Sequence, residues 1–139
     1  MKIVINRRFG GFGLSYAAVM QYAKLSGFRL YAFDNTQDAD GKIDFKTFVA
    51  WDGKGKEPLL IHYSKSPLRK GKYKDADYFS ERNIARDDPI LVQVVEEMGK
   101  NVNGRFSELK IVEIPDGTDY EIDEYDGMET INEKHRSWS

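Results

Sequence analysis

The residues best suited by type and spacing to do chemistry form a glycine run near the start of the chain. Phe9-Gly10-Gly11-Phe12-Gly13 follows a short apolar segment, with Arg7 and Arg8 before it and Ser15 after it. A strand that turns through glycines into a helix aims unpaired backbone N–H groups and the positive end of a dipole at one point. Such a point suits a phosphate or carboxylate, and two guanidinium groups and a hydroxyl beside it could add charge-assisted hydrogen bonds. The run lacks the Lys-Ser/Thr of a phosphate-binding P-loop, and Tyr16 stands where a dinucleotide fingerprint needs its third glycine. A tight structural turn is the competing explanation.

A second group lies near the other end. His135 is flanked by Glu133, Lys134 and Arg136, with Asp123, Glu124, Asp126 and Glu129 upstream. A carboxylate–histidine pair can move protons, but no nucleophile or oxyanion donor accompanies this one. Together Arg7, Arg8, Gly10, Gly11, Gly13, Ser15, His135 and Arg136 make the candidate ligand-binding set, with no catalytic or metal-ligating residue assigned. His62 is distant from His135 and belongs to no metal-binding pattern, so a zinc site is not expected. Asp38 to Asp44 resembles the middle of a calcium loop, yet Thr36 and Thr47 occupy the positions that should open and close the oxygen cage. It reads as a polar turn. No cofactor is implied.

Charge is distributed unevenly behind a formal net value of −2. Lys65, Arg69, Lys70, Lys72 and Lys74 crowd the middle, whereas acids dominate from Glu113 to Glu133. Asp119, Glu121 and Asp123 alternate with Tyr120 and Ile122, which on a strand puts the carboxylates on one face. A carboxylate row can imitate a nucleic-acid backbone or dock a basic partner, or serve only as a wetted strand face. The basic stretch, with Tyr73, Tyr78 and Phe79 nearby, could contact nucleic acid through charge and stacking. The acidic balance of the chain argues against a dedicated nucleic-acid binder.

These residues need a scaffold, and local patterns predict one. Lys2 to Asn6 reads as a strand, followed by the glycine loop and a helix that Ser15 caps and Gly27 ends. Phe28 to Phe33 reads as a second strand and Asp34 to Lys42 as a polar loop. Phe45 to Trp51 and Leu59 to Tyr63 are expected to pair around Asp52-Gly53, and Ser64 to Asp77 to form a loop or flap. Asp88, Pro89 and the spacing of Ile90, Leu91, Val94, Val95 and Met98 predict a helix that stops at Gly99. Leu109 to Ile114 and Tyr120 to Tyr125 are expected to form a hairpin around Pro115-Asp116-Gly117. A short helix near Met128 to His135 should close the chain. The sum is an α+β fold, a compact single domain over residues 1–139, mainly antiparallel sheet with two or three helices packed on it.

With 139 residues, 40% of them hydrophobic and 13% aromatic, the chain can fill a core. It has no cysteine, which fits a reducing compartment. No apolar run reaches the roughly 18 residues of a membrane span, and the short run at Ile3 to Ile5 falls below the core of a signal peptide. A cytoplasmic protein is expected.

Three stretches carry a resemblance. They are Ile3-Val4-Ile5-Asn6-Arg7 with Gly10 to Ser15, then Arg86-Asp87-Asp88-Pro89, and Glu121 to Gly127 with Glu133 to Trp138. In these the chain resembles a small family of uncharacterised proteins encoded by bacteriophages and prophages. The resemblance implies a place in the host cytoplasm and action on host machinery or immunity. The leading expectation is a non-catalytic anti-defence protein that sequesters a small, phosphorylated, nucleotide-like signal, with the enzyme question left leaning to no. One alternative is a protein-interaction inhibitor of a host enzyme, using the acidic strand face and Trp138. The other is a small nucleotide-processing hydrolase or transferase, with Asp126, Glu129 and His135 as acid–base groups. A homo-oligomer is possible under each.

Overall fold

A computed structural model describes residues 1–37, 43–55, 57–58, 60–69 and 74–134, with backbone alone for 35–37 and 43–47. Among the described residues, two helices and eight strands in antiparallel sheets make it an α+β fold. Its contacts divide into two units, Met1–Tyr22 with Ile84–Ser139, and Ala23–Asn83.

In the first unit, β1 (Lys2–Asn6) buries Ile3, Val4 and Ile5 in succession. An unbroken β-branched run suits a strand covered on both faces. It pairs antiparallel with β6 (Leu109–Glu113), Val4 opposite Ile111. Helix α1 (Tyr16–Ser26), whose residues from Ala23 on count with the second unit, starts where the Ser15 hydroxyl accepts the Ala18 N–H at 3.2 Å, and buries Ala18, Val19, Tyr22 and Ala23. Gly27 ends it at φ +83°. Helix α2 (Pro89–Met98) is capped as its sequence predicts. The Asp88 carboxylate accepts the N–H groups of Ile90 and Leu91 at 2.8 and 3.4 Å, Pro89 begins the helix and Gly99 closes it. Leu91, Val92, Val94 and Val95 form its buried stripe.

Strands β7 (Tyr120–Tyr125) and β8 (Met128–Glu133) form a hairpin. This corrects two expectations. The segment after Gly127 is a strand, not a helix, because Asp126 and Gly127 take φ +50° and +88°. Two consecutive left-handed residues make the tight turn whose twist matches an antiparallel pair, so the chain must return as a strand. The partner of β6 is β1 and not β7; the apolar β1 requires a neighbour that no local turn signal reveals.

In the second unit, the strand order is β3-β2-β4-β5, with β2 (Tyr31–Gln37), β3 (Ile43–Trp51), β4 (Ile61–Ser64) and β5 (Tyr78–Phe79). The expected pairing of β3 with β4 is also corrected, since each lies beside β2. β2 carries the fully buried Phe33 and the buried Ala32, which fits it for the centre. It begins at Tyr31 and runs past Phe33, into the stretch expected to be a loop. Residues 38–42, with most of the calcium-loop resemblance, lie outside the described residues. Cations lie over rings in this unit, Lys65 4.7 Å from the Phe28 centroid and Arg29 4.9 Å from that of Tyr31.

Candidate interaction surface

The glycine loop runs close against other parts of the first unit. The Gly10 N–H donates to the Asp126 carbonyl at 2.9 Å, and a Cβ on Gly10 would come within 2.9 Å of the Phe106 Cβ and carbonyl oxygen. At Gly127 a Cβ would lie 2.1 Å from the Gly11 nitrogen, so the hairpin turn and the loop pass with no room for a side chain. The carbonyl of Gly13 accepts the buried Ser107 hydroxyl at 2.7 Å. Ser15 donates its hydroxyl to the Asn101 carbonyl at 2.6 Å while capping α1. Arg7 Nη1 donates to the Glu129 carbonyl at 2.7 Å, and Arg8 is exposed. Gly10 and Gly11 are thus held by close backbone approach, and Arg7, Gly13 and Ser15 each by a separate hydrogen bond. His135, Arg136 and Trp138 lie outside the described residues.

Three residues that local patterns did not single out as a group hold this region together. Asn6 is fully buried and its amide is satisfied on every side. Nδ2 donates to the carbonyls of Arg8 and Gly127 at 2.7 Å each, and Oδ1 accepts the N–H groups of Glu108 and Arg8 at 2.9 and 3.3 Å. The Asn6 N–H donates to Glu129 Oε1 at 2.8 Å. Arg86 meets the same carboxylate with both terminal nitrogens, Nη1 to Oε1 at 2.5 Å and Nη2 to Oε2 at 2.9 Å. Its guanidinium also lies 3.6 Å from the centroid of the Phe12 ring. Glu129, one of the candidate acid–base groups, therefore has its carboxylate occupied by Arg86 and Asn6. The sequence signal was an asparagine closing an apolar strand and an acid that shares a strand face with Ile131.

On the opposite face of the hairpin the carboxylates are in water. Glu121 and Asp123 are exposed on β7, Asp119 precedes them in the same alternation, and Tyr125 follows. Two-residue steps put these side chains about 7 Å apart. Tyr125 is 76% exposed and meets Phe9, itself 56% exposed, edge to face with centroids 6.4 Å apart. Across the hairpin Lys134 lies 3.6 Å from Asp119, an exposed pair worth little, and Asn132 Nδ2 donates to Asp123. Tyr120 and Ile122 turn inward and are half-buried. Burial, then the Asp87 carboxylate, push the Tyr120 phenol above its ordinary pKa while Arg86 opposes them.

Among the described residues no three His, Cys, Asp or Glu side chains could hold a metal ion together. Half-burial pushes the His62 imidazole below its ordinary pKa, and its ring lies 5.2 Å from that of Phe48. No described helix is long and apolar enough to cross a membrane. No family model, curated protein or solved structure matches the chain.

Proposed function

We propose that this protein is a non-catalytic interaction protein that grips a partner through the outer face of the β7–β8 hairpin. The observation that carries this reading is one exposed row of Asp119, Glu121, Asp123 and Tyr125, extended by Phe9 against the Tyr125 ring. Exposed aromatics supply contact area with little rotamer entropy to lose, and carboxylates beside them select a basic surface and speed encounter with it. The first unit as a whole has nine Lys and Arg against fourteen Asp and Glu, a formal balance of −5. With the resemblance to phage-encoded proteins, the partner is a host protein in the cytoplasm whose action the contact blocks.

The nucleotide-sequestering alternative draws less support from the geometry. Arg7, Gly10 and Ser15 already donate to carbonyls of the fold. A rise in melting temperature with a cyclic nucleotide or ADP-ribose derivative in excess would restore that alternative.

The interaction reading is tested by placing a photo-crosslinking benzophenone amino acid at position 125 in host cells. A discrete product that disappears when Glu121→Lys and Asp123→Lys are added supports it. Failure to crosslink to any host protein, with the folded protein abundant, overturns it.

A further inference from the structure

We infer that the open edge of β7 is a strand-addition site for an extended, basic segment of a partner protein with Lys or Arg at alternate positions. The inference rests on the interaction reading above and specifies how the partner is held.

The phase of the hairpin's hydrogen bonds fixes which backbone groups are free to pair. Lys134 N–H donates to the Asp119 carbonyl at 2.9 Å, in the same register that sets Glu121 opposite Asn132 and Asp123 opposite Thr130. In an antiparallel pair, facing residues alternate between those that exchange hydrogen bonds and those whose N–H and C=O point away. Asp119, Glu121, Asp123 and Tyr125 therefore bond to β8, and Tyr120, Ile122 and Glu124 direct theirs to the other side of β7. The sheet is two-stranded, and among the described residues no backbone group bonds to that side. This edge is a template about five residues long.

Charge says what fits it. A strand laid along β7 puts its own alternate side chains beside Asp119, Glu121 and Asp123, where opposite charges stabilise and like charges repel. Lys or Arg at every second position satisfies that row, and an apolar side chain at its end can reach Tyr125 and Phe9. A second copy of β7 fits badly. Antiparallel pairing centred on Ile122 sets Glu121 against Asp123 twice, and shifting it by one pair sets Glu121 against Glu121. The acids that invite a basic strand are thus the ones that keep two copies apart.

The test uses the whole chain and two synthetic hexapeptides of equal charge, one with arginine and valine alternating and one with three arginines followed by three valines. The alternating peptide is expected to bind at least about tenfold more tightly. It should slow amide exchange at Tyr120, Ile122 and Glu124 without altering Val4 and Asn6. Glu124→Pro removes one outward N–H and no hydrogen bond to β8, and should weaken the alternating peptide by a similar factor; Glu124→Gln should nearly restore it. Equal affinity for both peptides, no binding of either, or binding with no added protection at those three amides overturns the inference. So does protection that appears without peptide as protein concentration rises, which would make a second copy the occupant. A crosslink at position 125 that persists without protection of the edge leaves the interaction reading standing and removes only strand addition.

Discussion

Two strand edges in the first unit are treated in opposite ways. β1 bonds to β6 through its odd-numbered residues, as the pairs Arg7 N–H to Glu108 and Ile114 N–H to Met1 show, which leaves Lys2, Val4 and Asn6 facing outward. Three of those outward groups are met by other parts of the unit. Val4 N–H donates to the Arg86 carbonyl at 2.9 Å, Arg86 Nη1 reaches the Val4 carbonyl at 3.4 Å, and Asn6 N–H donates to Glu129. Arg86 and Glu129 stand in for a missing strand. β7 has no such plug among the described residues and is bordered by carboxylates in water. An apolar strand in the interior has its edge closed by buried groups, and a half-wet strand has its edge defended by charge. The difference teaches that a buried ion pair and an exposed acid row can solve the same problem, one by occupying the edge and the other by selecting what may approach it.

The largest effect should come from unplugging β1. Glu129→Ala leaves the Arg86 guanidinium and the Asn6 N–H buried without their acceptor, and removing one member of a buried pair costs about 3–5 kcal/mol. Urea unfolding measures it. A loss below about 1 kcal/mol would mean that the plug contributes little and that the two edges differ less than their geometry suggests.

Gly127→Ala attacks the same closure from the backbone side. The added Cβ would meet the Gly11 nitrogen and Cα at 2.1 and 2.6 Å, and the position has φ +88°. Strain and overpacking each cost about 1–3 kcal/mol, so a combined loss of about 2–4 kcal/mol is expected in the same assay. The loss at Gly11→Ala should be smaller, because a Cβ there meets nothing within 4 Å, although its φ of +108° is still unfavourable.

Native-state amide exchange compares the edges without a mutation. Val4 and Asn6 are bonded and buried, and their amides should exchange at least about a hundredfold more slowly than those of Tyr120, Ile122 and Glu124 after correction for intrinsic rates. Equal protection on both edges would show that something covers β7 and would remove the basis for strand addition.

How much of this was legible in the sequence depended on how local the cause is. Asp88, Pro89 and Gly99 act on groups within a few residues, so the α2 boundaries followed from them directly. The Asp126-Gly127 turn was equally local, but its meaning was missed: the alternation of Ile131 with Asn132 is short, and Glu129 on the inner side hides the buried face. The pairing of β1 with β6 and the order β3-β2-β4 depend on which strand is most apolar and where the chain leads it, which no neighbouring residue records. The acidic face of β7 was read correctly from alternation alone. The glycine run was noticed for its openness to an anion, yet Gly10 in it is a site of close backbone approach, and only the fold brings Gly11 against Gly127 of the hairpin turn. Asn6, Arg86 and Glu129 carry no motif because their partners lie dozens of residues away.

The smallest stability effect should come from two residues on the same hairpin as Glu129. Glu121→Lys with Asp123→Lys replaces exposed carboxylates; Asp123 loses its hydrogen bond from Asn132, and the new cations face Asn132 and Thr130 on β8, neither of them an acid. Nothing buried changes, so stability should move by no more than about 0.5 kcal/mol. The consequence should lie in association. Reversing the row removes its attraction for an alternating arginine strand and substitutes repulsion, so peptide binding should vanish while the unfolding curve barely shifts. Glutamates on facing strands of one hairpin would then differ in kind: truncating Glu129 costs the fold several kcal/mol, about 3–5, whereas reversing Glu121 and Asp123 abolishes binding with the fold intact. A stability loss at Glu121 and Asp123 comparable to that at Glu129 would show that the outer acids support the fold, and the contrast between the two edges would fail.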